Sequence, residues 1–335
     1  MRPDLSVSLG ALRLKNPVVV ASGEWSLTPD AIRAALDAGA AAVVAKSTNE
    51  SDAARRQLES AAYALLDADW RPTERATRTT SLFNRSGLVA RPFDAWVEEL
   101  AAADADARAR DAYVAASLIP ADADELPRLA RAFADAGLRW LELNLGASHG
   151  EEAAPGAIEL VSDPERAEEV VARTREAFAA HLTVKLPGTG DILELVRAAR
   201  DGGADSVALV GRPLAFLPDL ETRRPLLGTF GAIGGAWALP LTLRWVAKAR
   251  HRFGPDLPVL ATNGIRDGGD VARALLAGAS AVELGTAVWA EGAAAVERAI
   301  GELAHYLERQ ERTAKDLVGE ATDAVMTYEE AGRKR

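Results

Sequence analysis

Short apolar runs, each closing on a polar residue or a glycine, alternate along this chain with longer segments whose apolar positions recur every three or four residues. The first pattern is that of buried strands and the second that of amphipathic helices, so their alternation predicts βα units. Ahead of them, Leu5 to Lys15 alternates apolar and polar positions around Gly10-Ala11, which predicts a β-hairpin plugging one end of the fold. Strand one is expected at Pro17–Ala21, helix one at Pro29–Ala38 and strand two at Ala41–Lys46. After a long excursion, Ser47 to Arg91, come helix two at Pro92–Arg108, strand three at Tyr113–Leu118, helix three at Ala123–Ala136 and strand four at Trp140–Asn144. A second excursion, Leu145 to Ser162, leads to helix four, whose start is signalled by Ser162-Asp163-Pro164. Strand five at Leu182–Lys185, helix five at Asp191–Asp201 and strand six at Ser206–Val210 follow. A third excursion, Gly211 to Ala236, precedes helix six at Trp237–Arg252. Strand seven from Val259, helix seven at Asp267–Ala277, strand eight from Ala281 and helix eight from Ala290 complete the series. Connections as long as the first excursion are usually functional lids.

The fold class that follows is α/β, a (β/α)8 TIM barrel with an N-terminal β-hairpin and long βα loops after strands two, four and six. One barrel domain is expected over residues 1–310, with a charged, helix-prone tail over 311–335 that packs outside or frays. Four helix ends share one device: Asp37-Ala-Gly-Ala40, Asp135-Ala-Gly-Leu138, Asp201-Gly-Gly-Ala204 and Leu276-Ala-Gly-Ala279 each place glycine where a helix stops and a strand begins. At the other end of the repeats, Thr262-Asn-Gly-Ile265 and Leu284-Gly-Thr-Ala287 run straight from a strand into helix-forming sequence. Such junctions bare backbone N–H groups at a helix start, and two in succession on strands seven and eight form the phosphate-holding corner of a barrel.

Composition narrows the chemistry. At 335 residues the chain is long enough for one barrel with a substantial core. A net charge of -10 and a pI near 5.1 argue against a nucleic-acid surface. The chain has no cysteine, which removes disulfides, thiolate metal sites, iron–sulfur ligation and thiol nucleophiles. No run approaches the roughly 18 apolar residues of a membrane span, and the N-terminus lacks the charged-then-apolar pattern of a signal. A soluble, cytoplasmic protein is expected. Of 39 basic side chains only six are lysines, yet Lys46 and Lys185 stand at the C-terminal ends of strands two and five, the rim that carries a barrel's active site. An ammonium there holds an anionic ligand or forms a Schiff base, or else pairs with an acid to close the rim.

Val20-Ala-Ser-Gly23, Ala45-Lys-Ser-Thr48, Asn84 with Gly87-Leu88, Leu141-Glu-Leu-Asn-Leu145, Val184-Lys-Leu-Pro187, Gly231-Ala-Ile-Gly-Gly235, Thr262-Asn-Gly-Ile265 and Leu284-Gly-Thr-Ala287 stand in the order seen in dihydroorotate dehydrogenases. From about residue 5 to residue 320 the chain resembles the soluble, class 1 branch of that family. The resemblance implies bound FMN. It places Ala21, Ser22, Lys46, Ser117 and Asn144 against the flavin ring, with Lys185 beside the ring edge that becomes negative on reduction. Gly234, Gly235, Asn263, Gly264, Gly285 and Thr286 would surround the phosphate with N–H donors. Asn84, Gly87, Leu88, Asn144 and Lys46 would meet the substrate. Family members of this branch are commonly dimers, so a homodimer is implied.

The substrate half departs from the family pattern. Class 1 members take the substrate proton with a cysteine, and class 2 with a serine, in an Asn-Leu-Ser-Cys-Pro-Asn segment after strand four. Here the segment is Asn144-Leu-Gly-Ala-Ser-His-Gly150, which puts Ala147 at the base position and leaves His149 and Ser148 as candidates. An imidazole with a pKa near 6.5 is the better base at neutral pH. After strand six the family's neutral Asn-Ser pair is replaced by Gly211-Arg212-Pro213, and Arg85 follows Asn84. Both arginines suit a carboxylate or another anion, although Arg212 has Asp219 and Glu221 as alternative partners in its own loop. The implied reaction is hydride transfer between flavin N5 and a C–C bond of a dihydropyrimidine-like or unsaturated acid, with a soluble electron acceptor. A true dihydroorotate dehydrogenase with a relocated base and a flavin-free aldolase or isomerase acting on a sugar phosphate are the alternatives.

Overall fold

The computed structural model describes residues 3–119, 122–146 and 163–333. The hairpin of β1 (Val7–Leu9) and β2 (Leu12–Leu14) precedes β3 (Val18–Val20), α1 (Pro29–Asp37) and β4 (Ala42–Val44). The excursion after β4 carries a short helix α2 (Asp52–Arg56) and two strands, β5 (Ala62–Leu66) and β6 (Ser81–Arg85). Then come α3 (Phe93–Arg108), β7 (Tyr113–Leu118), α4 (Leu126–Asp135) and β8 (Trp140–Asn144), followed by α5 (Pro164–Ala177), β9 (His181–Lys185), α6 (Ile192–Asp201) and β10 (Ser206–Leu209). The excursion after β10 holds β11 (Leu214–Ala215) and β12 (Gly231–Gly235). It leads to α7 (Leu239–Phe253), β13 (Val259–Thr262), α8 (Gly268–Ala277), β14 (Ala281–Leu284), α9 (Thr286–Glu291) and α10 (Ala294–Gln310).

Strands β3, β4, β7, β8, β9, β10, β13 and β14 pair in parallel with their neighbours, and β14 returns to β3 to close the barrel. This is the (β/α)8 architecture the alternation predicts. The strands are apolar over nearly their whole length because helices cover one face and the barrel interior the other. Their register is held by well-defined helix ends. Thr28 accepts from the Ala31 amide ahead of Pro29, Asp163 caps α5 ahead of Pro164, and Asp267 accepts from Asp270 N. Gly39, Gly137, Gly203 and Gly278, the four punctuation glycines, all adopt positive φ. The hairpin closes the N-terminal end of the barrel, since a Cβ on Gly10 would lie 3.4 Å from both Asp205 O and His181 Cε1 at the starts of β10 and β9.

Two excursions read from sequence as loops join into one antiparallel sheet, in the order β11-β12-β6-β5. Leu82 faces Gly234 and Asn84 faces Ala232, so the lid after strand two and the loop after strand six are one structure over the mouth. Leu66, Phe83, Leu227 and Ile233 pack together on one of its faces. Helix six starts at Leu239 after a short 3-10 turn, and helix eight is split, with α9 beginning directly after Gly285. The tail docks rather than frays: Ala314 and Leu317 are buried, Gly319 N donates to Leu275 O at 2.8 Å, and Thr322 Oγ1 donates to Ala277 O at 2.8 Å. No helix among the described residues is long and apolar enough to cross a membrane.

Candidate active site

The C-terminal ends of the barrel strands and the antiparallel sheet enclose a cleft of about 1060 Å³, counting the part open to solvent. Ala21, Ser22, Lys46, Gly87, Leu88, Asn144, Lys185, Arg212, Asn263, Gly264, Gly285 and Thr286 all line it. Residues separated by up to most of the chain are therefore brought to one surface, as barrel geometry requires. Gly235 lines an adjoining recess together with Gly264 and Thr286. Gly234 serves a different end: Arg212 Cγ and Cδ lie 3.1 and 3.2 Å from where its Cβ would be, so the bare backbone lets the Arg212 stem cross the sheet.

Three expected positions differ. Ser117 stands one layer deeper, wholly buried and bonded to Ser47 and Glu142. Asn84 lies on the sheet face of Leu82, fully buried, with neither its amide oxygen nor its nitrogen partnered among the described residues. Arg85 is one residue further, and the two-residue period of a strand turns it to the opposite face, beside Phe83 and away from the cleft. Ser148 and His149 lie outside the described residues.

At the sheet side of the cleft, Lys46 Nζ donates to Glu24 Oε1 at 3.1 Å and to Ser86 Oγ at 2.9 Å. Ser86 Oγ donates to the same Glu24 oxygen at 2.7 Å, and the Tyr63 hydroxyl reaches it at 3.2 Å. Burial disfavours charge here, yet Lys46, Arg212 and Ser86 together hold the Glu24 carboxyl well below the usual carboxylate range. Burial draws Lys46 below its ordinary value, opposed by Glu24. Burial and the neighbouring Glu24 push the Tyr63 phenol up to about 12. Arg212 makes no hydrogen bond among the described residues; Asp219, offered by the sequence as its partner, instead accepts from Thr222 N and Oγ1.

At the floor, Lys185 Nζ lies 2.5 Å from Glu283 Oε2 and 3.5 Å from Glu142 Oε2. Against the cost of burial, the two carboxyls hold Lys185 above its usual value. Both rim lysines thus pair with acids, as the structural alternative anticipated, while still lining the cleft.

At the third edge the chain leaves β13 through Asn263 and Gly264, both with positive φ. A Cβ on Gly264 would fall 2.4 Å from Leu239 N, so packing of α7 alone demands glycine there. Gly285 is different. Among the described residues the nearest atom to its absent Cβ is Ala21 Cβ at 3.8 Å, so its bareness leaves room beside the cleft that it lines. Asn263 Nδ2 is buried without a partner among the described residues, and the first turn of α9 lines the recess with the amides of a helix start. A spare amide donor, bare backbone and helix-start amides beside a cleft with a cationic floor fit a flat ligand carrying a phosphate.

A family model described as dihydroorotate dehydrogenase matches residues 4–307. The chain belongs to the dihydroorotate dehydrogenase family. It is 28% identical over 321 residues to the dihydroorotate dehydrogenase B (NAD(+)) catalytic subunit of Thermoplasma acidophilum, covering 95% of this chain and 99% of that one. The like-named subunit of Bacteroides thetaiotaomicron is 30% identical over 330 residues, covering 94% and 98%. A protein provisionally named dihydroorotate dehydrogenase A (fumarate) from Solibacter usitatus is 32% identical over 327 residues, covering 95% and 99%. Dihydroorotate dehydrogenases are flavoproteins and oxidoreductases of CH–CH bonds.

Sequence reading passed over Glu24, Ser47, Tyr63, Ser86, Glu142 and Glu283. For Glu142 and Glu283 a signal existed: each is an acid inside an otherwise apolar barrel strand, Trp140-Leu-Glu-Leu-Asn144 and Ala281-Val-Glu-Leu284. A carboxyl so placed needs a partner. The Glu24–Tyr63–Ser86 cluster joins three separate segments and carried no local sign.

Proposed function

We propose that this chain is an FMN-dependent oxidoreductase acting on a C–C bond of a small anionic, dihydropyrimidine-like or unsaturated acid that differs from dihydroorotate. The observation that carries the reading is Arg212: a guanidinium lining the cleft with no hydrogen bond among the described residues, close enough to the Glu24–Lys46 pair to bear on its charge, where the family's pattern has neutral side chains. Buried polar groups left unpaired discriminate strongly against a ligand that fails to match them.

Ala21, Ser22, Lys46, Asn144 and Lys185 would hold the ring, with Gly235, Asn263, Gly264, Gly285 and Thr286 at the phosphate. Bound there, FMN supplies the hydride acceptor and donor. Lys185, held charged by two carboxyls, stabilises negative charge on whatever lies above it. Asn84, buried and with neither amide atom partnered among the described residues, and Arg212 orient the substrate. The proton neighbouring the transferred hydride falls to the loop after β8, where His149 is the proposed base. An aldolase needs a neutral amine; Lys185 is held as an ammonium and Lys46 donates to Glu24 and Ser86, so the amine-based alternative loses support. The names of the relatives divide between NAD(+) and fumarate as electron acceptor, and a soluble acceptor of one of these kinds is proposed.

The purified protein is expected to be yellow, with the blue and near-ultraviolet absorption of oxidised isoalloxazine, and to bleach anaerobically with one member of a panel of dihydropyrimidines and enoic acids. A colourless protein that takes up no FMN would refute the assignment. Arg212→Ala is expected to raise KM for the anionic substrate by about 10–100-fold, the worth of a charge-assisted hydrogen bond, with flavin content unchanged. Equal losses for charged and uncharged substrates would remove Arg212 from substrate recognition.

A further inference from the structure

Glu142 of β8, Lys185 of β9 and Glu283 of β14 meet inside the barrel at the floor of the cleft, with both carboxyl side chains wholly inaccessible to solvent. Two carboxylates around one ammonium leave a net negative charge in a dry site, which is costly. Glu283 Oε2 and Glu142 Oε2 stand 2.5 and 3.5 Å from the same Lys185 Nζ, so the two carboxyls crowd one ammonium. Two carboxylates so placed repel, whereas an acid and a carboxylate attract. From Glu142 a line of hydroxyls climbs to the cleft: Ser117 Oγ is 3.0 Å from Glu142 Oε1, Ser47 Oγ is 2.9 Å from Ser117 Oγ, and Ser22 Oγ is 3.0 Å from Ser47 Oγ. Ser47 and Ser22 line the cleft.

We propose that Glu142 and Glu283 hold one proton between them and act as a proton store for the cleft, connected to it through Ser117, Ser47 and Ser22. On discharge the Glu142 carboxyl gives its proton to the Ser117 oxygen. Ser117 passes its own hydroxyl proton to Ser47, Ser47 to Ser22, and Ser22 to a basic atom of the bound ligand. Each serine ends as a neutral hydroxyl, the ligand gains one proton, and two carboxylates remain around Lys185. Reversal reloads the store. Burial, opposed by the Lys185 ammonium and reinforced by Glu283, pushes the Glu142 carboxyl up to about 8, which suits a group that exchanges protons near neutrality. The charged groups facing the pair are Lys185 and, acting on Lys185 from the loop after β10, Arg212.

The store requires no particular ligand, so it is tested on the purified full-length chain whether or not flavin is bound. Infrared spectra with carboxyl-13C-labelled glutamate should show one protonated glutamic acid C=O band at neutral pH that vanishes at alkaline pH. In Glu142→Gln and in Glu283→Gln the band should be absent at neutral pH, because the remaining carboxylate pairs alone with Lys185. No such band in the unaltered chain, or its survival in both variants, would overturn the shared proton. Ser47→Ala keeps both acids and should retain the band while slowing its hydrogen–deuterium exchange at least about tenfold, as loss of the middle hydroxyl breaks the line. Unchanged exchange would overturn the connection to the cleft.

Discussion

His149→Ala is expected to lower the rate of substrate-driven flavin bleaching by about 10²–10⁴-fold, the usual worth of a general base, and Ser148→Ala to be mild. The other titratable groups beside the cleft are already committed. Glu24 is held ionised far below the carboxylate range and already accepts from Lys46, Ser86 and Tyr63, so it has little basicity left. Tyr63, pushed up to about 12, keeps its proton at neutral pH. Lys46 is engaged as a donor to Glu24 and Ser86. The last described residues after β8 stand at the cleft: Asn144 lines it and its Oδ1 accepts from Gly146 N at 3.0 Å. A Cβ on Gly146 would lie 3.0 Å from the Leu186 backbone, so the chain is seated closely against β9 before the loop departs. Position 147 is alanine, which leaves the imidazole two residues on as the group whose ordinary pKa lies nearest neutrality. Stopped-flow absorbance under anaerobic conditions checks this. Unchanged bleaching in the histidine variant together with its loss in the serine variant would move the role to Ser148.

Lys185→Met is expected to destabilise the fold by about 3–5 kcal/mol at alkaline pH, the cost of leaving buried carboxyls without their cation, and by clearly less at acidic pH. Without the ammonium, burial drives Glu142 further towards its neutral form, so its folded-state pKa, already raised, climbs further above the unfolded one. A carboxyl shifted upward binds more protons folded than unfolded, and stability then falls as pH rises from the unfolded towards the folded pKa. The penalty is therefore smallest below the unfolded carboxyl pKa, where both states are protonated, and largest in alkali. Urea denaturation of the variant and the unaltered protein at acidic, neutral and alkaline pH measures it. A difference that stays constant across that range would mean the carboxyls do not sense Lys185. Flavin retention is expected to fall in the same variant, since Lys185 is the cationic floor of the cleft.

The barrel was legible because its determinants are local. Each strand is a short apolar run, each helix an amphipathic one, and Thr28, Asp163 and Asp267 begin helices while Gly39, Gly137, Gly203 and Gly278 end them, all within a few residues of the feature they specify. Motif spacing likewise located Lys46, Lys185, Asn263 and Gly285 at the rim, because a barrel sends every strand's C-terminal end to one face. The lid was not legible. β6 pairs with β12 across roughly 150 residues of chain, and Asn84 finds its place only through that pairing. Arg85 was misplaced for the same reason: without a strand at Ser81–Arg85, no alternation could assign its face.

Sequence alone determined the βα order and the approximate span of most helices, since these rest on propensity, capping and residue identity at fixed spacing. Tertiary structure decided which charges meet. Glu24 with Lys46, and Glu142 with Lys185 and Glu283, are pairings between distant segments whose energies depend on ångström separations and burial. Neither quantity exists until the barrel closes.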